Sequence, residues 1–69
     1  MKRIPVESSS ILSIGHDAKT ESLEIEFIHG TIYLYTGVPK EVYEVMMNAE
    51  SKGRFFNHHI RNKYEFVKV

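Results

Sequence analysis

Cysteine is absent from this sequence, so neither a disulfide framework nor a thiolate metal site can support its fold. No apolar run approaches the ~20 residues needed to span a bilayer. Lys2 and Arg3 are not followed by the apolar segment that a secretory signal requires. Together these absences predict a cytoplasmic protein without a membrane partner. Glycine-rich phosphate loops and the G-x-S-x-G nucleophile elbow are also missing. Several of the serines cluster near the start, as Ser8-Ser9-Ser10. No His-x-x-x-His pair occurs, and the adjacent His58 and His59 would diverge by about 100° on a helix, so no metal site and no cofactor are expected.

What is present describes one small globular domain. A chain of 69 residues is near the lower limit for a self-sufficient core, since chains of this size bury only about 60% of their unfolded surface. Pro5 and the serine run predict a flexible leader over 1–8 ahead of a single domain over 9–69. Formal net charge is zero but unevenly spread. Residues 51–69 carry Lys52, Arg54, Arg61, Lys63 and Lys68 against Glu65 alone, while most carboxylates lie earlier. Such a field steers an anionic partner toward the C-terminal third.

Strand signals come first along the chain. Residues 11–16 read as a strand, and Asp17 to Thr20 as a turn in which Asp bonds its own backbone. In 22–28 Leu23, Ile25 and Phe27 alternate strictly with Ser22, Glu24 and Glu26, which marks a half-buried strand. His29-Gly30 reads as a two-residue hairpin turn. That turn sets Ile25 opposite Leu34 and Phe27 opposite Ile32, and it sets Glu24 and Glu26 opposite Tyr35 and Tyr33. The tyrosines are thereby expected to face away from the aliphatic side chains.

Helical signals follow Gly37. Pro39 suits a first helical position and Glu41 the positive end of the helix dipole. Val42, Val45, Met46 and Ala49 form a buried stripe. A second short helix is expected from about Arg54 to Arg61, with Asn62 as a left-handed cap. A final strand begins near Tyr64. The expected fold is α+β: a small antiparallel sheet of three to four strands with two short helices, in the order β-β-β-α-α-β.

Chemistry concentrates on the second helix. Arg54, Asn57, His58 and Arg61 fall largely on one helical face, and Lys63 follows closely. Cations beside hydrogen-bonding groups suit phosphates, and Tyr33 and Tyr35 are candidate base contacts. Glu24 and Glu26, expected beside those tyrosines, would repel phosphate, so the helix is the stronger part of this candidate RNA interface. A metal-free ribonuclease using His58 or His59 with Arg61 is conceivable chemistry, but no spacing requires it and no enzyme activity is expected.

Several of these segments resemble the KTSC domain. The resemblance lies in Ser9-x-Ile11-x-x-Ile14-Gly15, in Leu23-x-Ile25-x-Phe27, and in Tyr33-Leu34-Tyr35 before Gly37-Val38-Pro39. It extends through Lys52-Gly53-Arg54-Phe55-Phe56-Asn57, then Ile60-Arg61 and Tyr64, and so covers about residues 9–67. That domain occurs at the C-terminus of some lysyl-tRNA synthetases and also alone. His16 departs from it, standing where a tyrosine is expected. The resemblance implies an RNA or tRNA partner by association and carries over no catalytic residue. The alternative from the sequence is a protein partner for the basic helix or for an exposed strand edge.

Overall fold

A computed structural model describes residues 1–69. Its elements run β1 (Ile4–Pro5), β2 (Ile11–Asp17), β3 (Ser22–Phe27), β4 (Ile32–Thr36), α1 (Lys40–Met47), α2 (Lys52–His59) and β5 (Phe66–Lys68). The five strands form one antiparallel meander in the order β1-β2-β3-β4-β5. The α+β class matches the sequence reading, but the sheet has five strands rather than three or four. The additional strand is β1, which pairs Ile4 with Ile14 and Pro5 with Ser13. Proline fits there because an edge strand needs no N–H from it.

The β3–β4 register corrects the expected one. Ile25 faces Tyr33 and Leu23 faces Tyr35, whereas Glu24 faces Leu34 and Glu26 faces Ile32. The physical reason is the turn. A two-residue type I′ turn needs positive φ at both central residues, but Glu21 is the single non-glycine residue with positive φ, so His29 does not adopt it. The chain instead makes a loop of Ile28, His29 and Gly30. Gly30 N–H donates to Phe27 O at 2.8 Å, Phe27 N–H donates to Thr31 O at 2.9 Å, and Gly30 takes φ 99°. This is the three-residue hairpin form, a turn followed by a left-handed residue. The inserted residue shifts pairing by one and moves both tyrosines onto the aliphatic face.

Glu24 and Glu26 tolerate apolar partners on β4 because they turn toward β1. Arg3 Nη1 donates to Glu24 Oε1 at 2.6 Å, and Arg3 Nε donates to Ser13 Oγ at 3.2 Å. Ser13 Oγ donates in turn to Glu26 Oε1 at 2.8 Å. Gly15 makes room for this arrangement: a Cβ at that position would lie 2.8 Å from Lys2 O and 3.2 Å from Arg3 Cα.

The helices cover the opposite face. The core joins Ile11, Ile14, Leu23, Ile25 and Tyr35 from the sheet to Val38, Met46, Phe56 and Ile60. α1 begins after Pro39, which occupies the N-cap itself, and of its apolar stripe Met46 is fully buried while Val45 stays exposed. α2 begins earlier than expected because Ser51 caps it, its Oγ accepting from Arg54 N–H at 3.2 Å. The expected left-handed cap at Asn62 does not form; Ile60 closes α2 with φ −116°. His16, the departure noted above, belongs to the packing: its Nε2–H donates to Val38 O at 2.7 Å and its ring stacks on Tyr43 at 5.0 Å. No helix is long and apolar enough to cross a membrane.

Candidate nucleic-acid interface

Three adjacent strands and α2 place aromatic rings around one cavity. On the helix-facing side of the sheet, Phe27 ends β3, Tyr33 and Tyr35 stand on β4, and Phe66 begins β5 opposite Tyr35. Phe56 descends onto them from α2. The rings form a closed circuit, each meeting the next. Phe27–Phe56 centroids are 5.2 Å apart, Phe56–Tyr35 5.5 Å, Tyr35–Phe66 5.3 Å, Phe66–Tyr33 5.2 Å and Tyr33–Phe27 5.6 Å. All but the Tyr35–Phe66 pair are edge-to-face, the geometry that ring quadrupoles favour.

The cavity bordered by this circuit measures about 350 Å³. Its rim is polar: His29, Asn57, Arg61 and Asn62 complete the lining. His29 extends the Phe27 wall, its ring lying nearly parallel at 5.9 Å. No carboxylate lines the cavity, so Arg61 sets its charge.

Burial divides the rings by role. Tyr35 is 3% exposed and serves as floor, whereas Tyr33 is half-buried and Phe66 is 51% exposed. The Tyr35 phenol is pushed above its ordinary value, chiefly by burial and further by neighbouring Tyr33, with the Arg61 guanidinium pulling the other way. Arg61 and Tyr35 line the same cavity.

The structure brings together four of the residues singled out from the sequence: Tyr33, Tyr35, Asn57 and Arg61. Arg54 and His58 lie around the α2 surface in a neighbouring polar hollow with Ser8, Ser9 and Ser10, which Asn57 also borders. Lys63 is not brought to this group. It lies beside Phe55, His59 and Tyr64 on the α1 side. His59 lies tilted against Phe55, with ring centroids 4.7 Å apart and planes at 38°. No three His, Asp or Glu side chains converge closely enough to hold a metal ion.

Two expectations about the tyrosines are corrected together. They do not share a face with Glu24 and Glu26, so the phosphate-repelling neighbours are removed to the other side of the sheet. Nor are both free to stack on a base, because Tyr35 is buried. Sequence reasoning missed Phe27, Phe56, Phe66, His29 and Asn62. The signal for three of the rings was present: Phe27, Tyr33 and Tyr35 share one face once a three-residue loop sets the register.

The comparisons with known proteins agree with the fold. The family model described as KTSC domain matches residues 7–64. A protein of Stutzerimonas stutzeri is 46% identical over 57 residues, spanning 83% of this chain and 80% of its own length. A lysine–tRNA ligase of Nostoc punctiforme is 43% identical over 63 residues, spanning 91% of this chain and 11% of the ligase. The crystal structure of a KTSC domain protein from Yersinia pestis superposes with a TM-score of 0.94 at 46% identity, covering 99% of this chain and 96% of that one.

Proposed function

The chain belongs to the KTSC domain family, and we propose that it acts as a small RNA-binding module without catalytic role. Single-stranded RNA, or an unpaired part of a tRNA, is bound where α2 meets β4 and β5. One observation carries the reading. Arg61 and Asn57 border the same cavity that Tyr33 and Phe66 wall, so a phosphate-neutralising cation adjoins accessible ring surface. The placement of Glu24 and Glu26 on the far face supports it, as does Arg54 further along α2. The lysine–tRNA ligase relatives add support by association, since a protein named for its action on tRNA carries a region similar to nearly all of this domain. A cytoplasmic setting without a cofactor accompanies the reading.

Titration of labelled single-stranded RNA at several salt concentrations tests it. Binding is expected at low ionic strength, to weaken steeply with salt, and to weaken in Arg61→Glu, with the RNA recovered uncut. No binding at low salt, where the electrostatic contribution is largest, would end the proposal.

A second reading has its own observation. β5 is an open edge strand with Phe66, Val67 and Val69 exposed, a surface onto which a partner protein could add a strand. RNA-independent self-association in sedimentation, lost in Val67→Pro, would favour it.

A further inference from the structure

We infer that the aromatic cavity takes one unpaired nucleobase, inserted singly, with the nucleotide's phosphate held at the rim by Arg61. The inference rests on the RNA-binding reading and specifies what enters this cavity.

Size is the first constraint. A volume of about 350 Å³ lies at the lower end of the roughly 300–1,000 Å³ range of small-molecule sites. It suits one nucleotide and excludes a base pair or a run of stacked bases. A base within a duplex is stacked on both sides and cannot enter, so the guest is unpaired.

Surface chemistry is the second. Tyr33 and Phe66 meet at 89° with centroids 5.2 Å apart, so their exposed surfaces form a right-angled corner. A planar guest lying against one ring presents its edge to the other, which repeats the edge-to-face relation already running round the circuit. Beneath it the buried Tyr35 closes the floor.

Charge is the third. Aromatic cavities of this kind also receive alkylammonium groups. Here Arg61 is at the rim and no carboxylate lines the cavity, so a cation would be repelled. A flat, neutral body joined to an anion satisfies both parts. Asn57 and Asn62 each offer a donor and an acceptor to a base edge or a ribose hydroxyl.

The test uses RNA strands of equal charge, so that phosphate attraction is held constant. Three strands of about six nucleotides are compared on the intact chain: one entirely abasic, one carrying a single base, and one carrying bases throughout. The single-base strand is expected to bind about tenfold or more tightly than the abasic one, the increment that stacking of one base supplies. It should also recover most of the advantage of the full strand. Phe66→Leu should shrink that increment, measured as the ratio of single-base to abasic affinity in the same variant. A single-base strand that binds no better than the abasic one, while the full strand binds, overturns the one-base cavity and leaves RNA binding standing. Failure of every strand to bind at low salt overturns both.

Discussion

The guanidinium of Arg3 meets the carboxylate of Glu24 at 2.6 Å, across twenty-one positions of sequence, on the sheet face that the helices leave uncovered. This contact ties β1 to β3 over the top of β2. It also allows Glu24 to stand opposite Leu34 and so permits the register that turns Tyr33 and Tyr35 inward.

Gly15→Ala tests the close approach that this contact requires. The new Cβ would lie 2.8 Å from the Lys2 carbonyl, a backbone atom that moves only if β1 moves. A loss of about 1–3 kcal/mol is expected, the range for forcing a methyl into filled space. Hydrogen exchange should localise it. The Val6 amide, bonded to Leu12 O, loses protection, while amides within the β3–β4 pair keep theirs. Uniform loss of protection would show that β1 is not separately attached.

Gly30→Ala tests the hairpin. Nothing lies within 4 Å of a Cβ at Gly30, so the cost comes from its φ of 99° alone. About 1–2 kcal/mol is expected from denaturant midpoints, with Gly30→Asn less costly because asparagine visits the left-handed region more readily. Equal stability of all three proteins would contradict the three-residue loop.

Alkaline unfolding is expected to report on Tyr35. Its folded value lies above the ordinary 10.0, so the folded state favours the neutral phenol. The associated stability is present in full below pH 10 and is lost as pH rises through the folded value. In Tyr35→Phe that portion of the alkaline destabilisation should vanish. Ultraviolet titration of the tyrosinates should show one fewer late-titrating group, and an unchanged titration would refute the assignment.

Arg61 and Lys63 separate the proposed interface from general basicity. Both side chains are exposed, so neutralising either should alter stability by no more than about 0.5 kcal/mol. Arg61→Gln should lower RNA affinity and reduce the slope of log affinity against log salt by about one. Lys63→Gln, on the α1 side, should change both much less. Equal effects would mean that only net charge matters.

The elements of the fold were largely legible in the sequence. Strict alternation marks β3, and Pro39 and Glu41 mark the start of α1, because these signals depend on residues adjacent in the chain. β1 was illegible: two residues offer no period, and their partners Ile14 and Ser13 lie on the next strand, across the intervening serine run. The register failed on a single backbone angle at His29, and that one-residue error placed both tyrosines on the wrong face. Phe27, Phe56 and Phe66 were missed with it. Lys63 lies apart from the other candidates because α2 ends at His59, beyond which helical projection no longer says where a side chain points.

The meander sets β1 at one edge of the sheet and β5, with its Phe66 wall, at the other. Four interstrand spacings of ~4.8 Å separate them, roughly 19 Å in all. A polypeptide joined ahead of Met1 therefore departs from the side remote from the cavity, whereas one joined after Val69 departs beside its outer wall. For any fusion, immobilisation or surface display of this domain, attachment through the N-terminus leaves the cavity mouth clear. Attachment through the C-terminus crowds it.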